Sequence, residues 1–410
     1  MSRDVERDVL YVTVGGLIAA ILGYAFWFVA SFLFSSEEIG STTLIISGIL
    51  LVSTISRLGI EATFLTTLSN PEINKLRLEK MISSGIIISS LVGLIISLIM
   101  TIFFSNYFSG LHGLGGFFVV SLVIAALSTM VGMDVISDTL LLTSSNSRWL
   151  PIKQSLLGLT RIFSLYVIAE MGIRRGLITS WTIGLFATLI LVWGILLRGY
   201  FRPRITSISE NLEIVSLTFG LNISNLSMIV FPSIGLWIGS YQSANRWGQS
   251  AAGEFFILWM IGSFALMLPR TFSRVLTVQA TEMRGTPILW DRGFIASVIV
   301  GLLIGGMACI ILPLFSGMFN EYGGIQFMAW GLVSVPGYIV YNYVAKWRVS
   351  EGTWKLLFSP IIAIGVFGYC MANVEMDHAN SGIVWLLSLI FMSCFSWAIE
   401  NKGNRTISIS

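Results

Sequence analysis

Apolar residues along this chain are grouped into long runs that short polar stretches separate. About twelve runs occur, and most reach the roughly 20 residues that an α-helix needs to cross a bilayer. Numbered in chain order as spans one to twelve, they cover residues 9–34, 39–69, 81–104, 117–143, 151–171, 177–198, 212–239, 253–283, 292–316, 325–345, 354–372 and 383–399. The pattern predicts an all-α polytopic membrane protein with about twelve transmembrane helices.

Basic residues alternate between the connecting loops, and this alternation predicts the orientation. With the N-terminus inside, the inner segments contain Arg3, Arg7, Lys75, Arg77, Lys80, Arg148, Lys153, Arg198, Arg202, Arg204, Arg284, Arg292, Lys346, Arg348, Lys355, Lys402 and Arg405. The outer loops contain only Arg174, Arg175 and Arg246. Because Lys and Arg are retained on the cytoplasmic side, we expect a multi-pass protein of the cell membrane with both termini in the cytoplasm. The first run is longer than a cleavable signal requires and predicts a retained anchor.

Overall composition supports the membrane assignment and limits the chemistry. Only 11% of the residues are charged and 55% are hydrophobic, whereas soluble domains carry about 25% charged residues. The three cysteines have no metal-type spacing, and the two histidines fall in short loops. We therefore expect no metal site, no cofactor and no nucleic-acid partner.

The chain shows signs of an internal duplication. The basic inner loop 198–211 divides the spans into two sets of six, which predicts an N-terminal lobe of residues 1–205 and a C-terminal lobe of residues 206–410. In the second span of each half, Arg57 follows Gly40 at the same spacing as Arg270 follows Gly253. Repeated halves of this kind are a common transporter design.

Several ionisable residues lie inside the apolar runs. They are Arg57 and Glu61 in span two, Asp134 and Asp138 in span four, Arg161 in span five, and Arg270 and Arg274 in span eight. Each would cost about 2.5–3.5 kcal/mol or more if it faced lipid, so we expect these groups to pair or to face water. For the two aspartates both roles stay open: ion coupling, or structural pairing in which Arg161 or Arg57 neutralises them.

Helical phase places these charges on polar stripes. At 3.6 residues per turn, Arg57 and Glu61 align with Thr43, Ser47 and Thr54 on one face. Stripes on several spans predict a hydrated cavity between two pseudo-symmetric six-helix lobes. The expected substrate-binding residues are Arg57, Glu61, Arg161, Asn222, Asn225, Arg270 and Arg274, although asparagine also serves in contacts between helices.

The arginines indicate the chemistry of the cargo. A guanidinium group binds phosphate through two parallel hydrogen bonds, and an arginine-bearing, lysine-free cavity suits a phosphate-headed lipid. Such a cargo would cross with its head in the cavity and its tail in the bilayer. An inside-negative potential also favours outward movement of an anion. These features predict a transporter rather than an enzyme.

Two stretches carry a family resemblance. The segment "GYAFWFVASFLFSSEEIGSTTLIISGILLVSTISRLGIEATFL" (23–65) and the segment "AAGEFFILWMIGSFALMLPRTFSRVLTVQA" (251–280) resemble the polysaccharide and O-antigen flippases. That family belongs to the multidrug/oligosaccharidyl-lipid/polysaccharide exporter superfamily. The resemblance implies two six-helix lobes, alternating access, and outward transfer of a polyprenyl-phosphate- or pyrophosphate-linked oligosaccharide for surface glycan synthesis. Arg57, Arg270 and Arg274 match by position the arginines that bind the head group in that family.

One departure and two alternatives accompany the resemblance. Members of the family often carry an acidic residue in the outer turn before span eight, and the turn 241–253 has none. A multidrug/cation antiporter of the same superfamily would use Asp134 and Glu61 to bind cations. A multi-pass enzyme of glycan assembly would need a catalytic group near a membrane face, and no intramembrane histidine supplies one. The expected partners are the lipid-linked oligosaccharide, membrane lipids and glycan-assembly proteins.

Overall fold

The computed structural model describes residues 3–60, 64, 75–104, 108, 116–143, 146–173, 175–198, 230–267, 269, 292–314, 319, 324–349, 355–373 and 380–407. Helices account for all the regular structure in these ranges, which contain no β-strand. The predicted all-α fold is confirmed. Eight helices in the described ranges are long and apolar enough to cross a membrane. The chain is therefore a multi-pass membrane protein.

The helices fall into two compact units, Met1–Ser233 and Ile234–Ser410. The first unit contains α1 (Arg3–Leu33), α2 (Ser36–Ser56), α3 (Lys75–Phe103), α4 (Phe117–Thr143), α5 (Trp149–Glu170) and α6 (Gly176–Leu189). A π-helical turn, Ile190–Leu196, follows α6 directly. The predicted lobe boundary between residues 205 and 206 lies outside the described residues and stays a prediction.

The second unit begins within α7 (230–247). It continues with α8 (Gln249–Ala265), α9 (Arg292–Ile311), α10 (Gly324–Leu332), α11 (Ser334–Val349), α12 (Lys355–Asn373) and α13 (Ser381–Ile407). Helices α10 and α11 are separated only by Val333, so together they form the predicted tenth span. All twelve predicted spans contain helix in the structure.

The helices of the two units contact one another in a similar pattern. In the first unit α2 contacts α3 and α4, α3 contacts α4, and α6 contacts both α4 and α5. In the second unit α8 contacts α9 and α10, α9 contacts α10, and α13 contacts α10, α11 and α12. The repeated pairing agrees with the internal duplication that the glycine–arginine spacing indicated.

Helix α2 is the most enclosed helix of the first unit. A reciprocal cap starts it: the Ser35 hydroxyl accepts a hydrogen bond from the Glu38 amide, and the Glu38 carboxylate accepts one from the Ser35 amide. Burial covers 83% of its central window. Buried residues lie on every face of α2, so neighbouring elements pack against it on all sides.

Span two does not form the continuous helix that its hydropathy predicted. Helix α2 ends at Ser56, a turn occupies 57–59, and helical geometry resumes at Ile60. Leu58 and Gly59 have φ angles of 49° and 75°, in the left-handed region that terminates a helix. Hydropathy carries no information on backbone handedness, so the prediction missed this break.

The outer turn before span eight is also tighter than predicted. Helix α7 extends to residue 247 and α8 starts at Gln249, so only Gly248 is non-helical within the expected turn 241–253. Its φ of 94° favours glycine because a side chain would be strained there. Arg246 stabilises this corner by donating from Nη1 to the Met371 carbonyl at 2.9 Å.

Candidate functional site

The break in span two positions Arg57. This residue caps the C-terminus of α2 and is only 6% exposed. After it, the Ile60 amide donates to the Arg57 carbonyl at 2.9 Å as the chain turns through Leu58 and Gly59. Interrupted transmembrane helices at the depth of a buried charge are typical of transporter binding sites. The turn therefore makes this part of the first unit a candidate functional region.

Two neighbouring helices hold the Arg57 side chain. A Cβ atom on Gly132 of α4 would lie 3.6 Å from Arg57 Cγ and also 3.6 Å from Ser89 Oγ of α3. The Ser56 and Ser89 hydroxyls lie 3.4 Å apart. The aliphatic part of Arg57 thus passes between α3 and α4, and the small residue at position 132 leaves room for it.

The polar stripe that leads to Arg57 is buried. Thr43, Ser47 and Thr54 are 0%, 0% and 6% exposed. Their hydroxyls donate to carbonyls of the preceding turn, on Gly40, Leu44 and Leu50, at 2.7–2.8 Å. These bonds satisfy the hydroxyls within α2. Because α2 itself accepts the hydrogen bonds of these hydroxyls, they need no water molecules beside them.

A cluster of charged residues, centred on Lys153, joins α4 to α5. Lys153 is completely buried. Its Nζ atom lies 2.6 Å from Asp138 Oδ1 and 2.8 Å from Asp134 Oδ1. It also lies 2.7 Å from the Asp134 carbonyl oxygen and 3.0 Å from Ser137 Oγ. Four oxygen atoms of one helix thus surround a single ammonium group.

The four contacts of the Lys153 ammonium are three hydrogen bonds and one further ion pair. An ammonium has three N–H donors, and they are directed at the Asp134 carbonyl, Ser137 Oγ and Asp138 Oδ1. The fourth contact, with Asp134 Oδ1, is an ion pair at 2.8 Å. Lys153 therefore forms ion pairs with both carboxylates of α4, at 2.8 Å for Asp134 and 2.6 Å for Asp138.

This pairing corrects the sequence interpretation. For the structural alternative we expected Arg161 or Arg57 to neutralise Asp134 and Asp138, and we counted Lys153 among the basic residues of the inner segments; the alternative of ion coupling stays untested. Helix α5 instead begins at Trp149, so Lys153 lies one turn inside the helix, about 6 Å from its start. Lys153 already lay within the predicted span 151–171, but its place among the basic residues of the inner segments drew attention away from a pairing role.

Arg161 lies two turns further along α5, about 18 Å from the start of the helix. Its guanidinium carbon lies 5.0 Å from the centroid of the Trp181 ring on α6, within the range of a cation–π interaction. A Cβ on Gly184 would collide with Arg161 Cγ, so the arginine stem lies directly against the α6 backbone. Asp134 and Arg161 form no direct ion pair.

The four charges of this group balance. Asp134 and Asp138 are negative, and Lys153 and Arg161 are positive. A balanced set lowers the cost of placing ionised groups at membrane depth, because each charge is compensated within the first unit. The charges balance, but the hydrogen bonds do not: Arg161 Nε is buried with no hydrogen-bond partner.

The remaining predicted site residues lie outside the described residues. These are Glu61, Asn222, Asn225, Arg270 and Arg274, and their predicted roles stay predictions. The described ranges contain no group of His, Cys, Asp or Glu that could hold a metal ion. Within those ranges, Arg57, Arg161, Asp134, Asp138 and Lys153 thus form the candidate functional site.

Comparisons with known proteins relate the fold to transporters. No family model and no curated protein matches the chain. A multidrug resistance MATE family transporter of the MOP superfamily, in its inward-facing conformation, aligns with a TM-score of 0.65 and 11% identity. The alignment covers 98% of this chain and 99% of that transporter.

Two further solved structures show the same fold. The lipid II flippase MurJ, in an inward closed conformation, aligns with a TM-score of 0.62 and 14% identity, covering 96% of this chain and 87% of MurJ. A MOP superfamily transporter from Pyrococcus furiosus, described as having a binding pocket of reversed polarity, aligns with a TM-score of 0.51 and 13% identity over 99% and 95% of the two chains. This chain therefore has the fold of the MATE and MurJ transporters over nearly its full length.

Proposed function

We propose that this protein is a flippase that moves a polyprenyl-phosphate- or pyrophosphate-linked oligosaccharide from the inner to the outer leaflet by alternating access. In this role it acts as a transporter rather than an enzyme, in the cytoplasmic membrane with both termini in the cytoplasm. Its cargo serves surface polysaccharide synthesis, and its partners are membrane lipids and glycan-assembly proteins. The same fold serves lipid transfer in MurJ, which supports the lipid-linked cargo.

The observation that carries the proposal is the state of Arg161. Its guanidinium lies deep in the first unit, stacked on Trp181, and its Nε has no hydrogen-bond acceptor. A buried donor without an acceptor costs free energy, more so when it is charged. A phosphate oxygen supplies such an acceptor with matching charge. Arg57, buried at the break of span two, provides a second guanidinium at membrane depth.

The second candidate is a multidrug/cation antiporter, which the alignment with the MATE transporter favours. That function requires acidic groups that a cationic drug can reach. Here the Asp134 and Asp138 carboxylates both lie within 2.8 Å of the Lys153 ammonium. An organic cation would have to displace a covalently tethered cation from its own site. The paired aspartates therefore favour the flippase.

Deletion of the gene, followed by extraction of lipid-linked glycans, tests the proposal. We expect full-length lipid-linked oligosaccharide to accumulate and the surface glycan to be lost. Arg161→Ala and Arg57→Ala should reproduce the defect. Arg148→Ala is the matched control, because Arg148 also stacks on a tryptophan, at 5.8 Å from the Trp149 ring, but is exposed.

Other outcomes of the same extraction would contradict the proposal. Truncated glycans would identify an enzyme of glycan assembly. Unchanged glycans together with increased drug sensitivity would identify the antiporter. A defect of equal size in Arg148→Ala would show that loss of any arginine–tryptophan stack, and not loss of a phosphate ligand, disturbs the protein.

A further inference from the structure

The Lys153 ammonium lies inside a shell of oxygen atoms that one turn of α4 provides. The Asp134 carbonyl oxygen lies 2.7 Å from Nζ, Ser137 Oγ lies at 3.0 Å and Asp138 Oδ1 at 2.6 Å. Asp134 Oδ1 is the fourth member of the shell, at 2.8 Å. The lysine side chain itself is completely buried. Helix α4 therefore forms the shell, and α5 contributes the cation inside it.

All four oxygen atoms present lone pairs to the cation. Carbonyl and carboxylate oxygens are acceptors only, whereas a serine hydroxyl can also donate. The Ser137 hydroxyl donates to the Asp134 carbonyl at 2.6 Å, and it accepts from Lys153 Nζ because an ammonium has no lone pair. Oxygen atoms with lone pairs directed at one point are the ligands that hard cations take. This turn of α4 therefore has the donor set of a cation site.

The dimensions and charge of the shell suit a monovalent cation. Its distances of 2.6–3.0 Å start at the upper limit of Ca²⁺–oxygen bonds, about 2.6 Å, and are far above the ~2.0–2.1 Å of Mg²⁺–oxygen bonds. K⁺ has the charge of an ammonium group and nearly its size, and K⁺ channels bind it through rings of carbonyl oxygens. Asp138 is 34% exposed, which gives an ion access to the shell once the lysine is removed.

We propose that Lys153 is a tethered cation, whose ammonium occupies a monovalent-cation site on α4 that K⁺ or a small alkylammonium ion takes when the lysine side chain is absent. In the unmodified protein the site is always filled, because the ammonium contacts all four oxygens. Ion coupling through Asp134 and Asp138 then cannot use a free alkali cation bound in this shell. The inference does not depend on the cargo and holds for a flippase and for an antiporter alike.

Lys153→Ala empties the site and provides the test. Thermal unfolding of the full-length protein is measured in the chloride salts of K⁺, methylammonium and choline at equal ionic strength. The unmodified protein should unfold at the same temperature in all three salts. Lys153→Ala should unfold about 2 °C or more higher in K⁺ and in methylammonium than in choline, whose trimethylated head is too large for the shell. The rise should increase with K⁺ concentration, as binding to the folded state requires.

Two control variants separate occupation of the shell from a general effect of salt. Lys153→Ala/Asp138→Ala removes one oxygen and one charge from the shell, and it should lose most of the response to K⁺. Arg148→Ala removes a positive charge from the start of the same helix, where Arg148 is exposed and caps α5. This variant creates no empty shell and should behave in the three salts like the unmodified protein.

A second variant keeps the test decisive if Lys153→Ala does not fold in choline. Lys153→Ala/Asp134→Asn retains the four oxygens and leaves one carboxylate for one cation, so its unfolding temperature should still rise in K⁺. Equal unfolding temperatures in K⁺ and choline for the folded variant would overturn the inference and leave Lys153 as a salt-bridge residue only. An equal response in Arg148→Ala, or a response to CaCl₂ but not to KCl, would also overturn it.

Discussion

The interiors of the two units are built from different chemistry. In the first unit, Lys153 and its two aspartates place three ionised groups between α4 and α5. In the described part of the second unit, aromatic rings pack together, with neighbouring ring centroids 4.5–6.4 Å apart. The rings belong to Phe255, Trp259, Trp330, Phe367 and Trp385, all at most 5% exposed.

This difference in chemistry predicts which substitutions each unit should tolerate. Aromatic contacts gain most of their benefit from the area buried and a smaller part from ring orientation, so a smaller ring loses part of it. A charged cluster is directional, and each member leaves an uncompensated charge when another is removed. We therefore expect substitutions in the first unit to be rescued by a second change in charge. Substitutions in the second unit should depend only on volume.

The largest effect is expected for Lys153→Ala. Two carboxylates at membrane depth then lose their counterion, and the free energy of unfolding should fall by about 3–5 kcal/mol. Thermal unfolding of the purified protein measures this change. Adding Asp134→Asn and Asp138→Asn should recover most of the loss. A loss that persists after both carboxylates are neutralised would show that Lys153 acts through packing, as residues of the second unit do.

The next effect concerns backbone packing in the second unit. A Cβ on Gly331 of α10 would collide with backbone atoms of Gly301 and Gly305 on α9. Gly331→Ala should therefore cost about 1–3 kcal/mol of unfolding free energy through overpacking. Gly306→Ala is the matched control on α9, because nothing lies within 4 Å of its Cβ position. Equal melting temperatures for the two variants would contradict the tight α9–α10 contact.

A smaller effect is expected at the break of span two. Leu58 has a φ of 49°, in a region that costs an L-residue with a side chain about 1–2 kcal/mol. Leu58→Gly should relieve part of this strain, whereas Gly59→Ala, at a φ of 75°, should add to it. Thermal unfolding should show opposite shifts for the two variants. Shifts of the same sign would argue against left-handed geometry after Arg57.

The smallest effect is expected for Trp330→Phe. The indole Nε1 of Trp330 is buried with no hydrogen-bond partner, so its removal relieves an unsatisfied donor. This gain offsets part of the lost ring area, and the net change in unfolding free energy should stay below about 1.5 kcal/mol. A much larger loss would indicate that the indole N–H has a role that Phe255 and Trp259 do not share.

Hydropathy predicted the helices well but not their internal geometry. All twelve apolar runs contain helix because an apolar backbone in a bilayer must satisfy its own hydrogen bonds. The second run predicted membrane depth and a cavity-lining position for Arg57, whereas the structure buries its side chain to 6% exposure. The break after Arg57 was not predicted, because the αL geometry at Leu58 depends on local backbone packing and leaves no trace in the hydropathy profile.

The order of apolar and charged residues along the chain by itself determined an all-α membrane protein, and it predicted a duplicated helix pattern and charged groups inside the apolar runs. These properties follow from chain length and transfer free energy, which are local. Only the tertiary structure decided that Lys153, and not an arginine, binds Asp134 and Asp138. The reason is physical. Several cations lie within the apolar runs, and the packing of α4 against α5 decides which of them reaches the two aspartates.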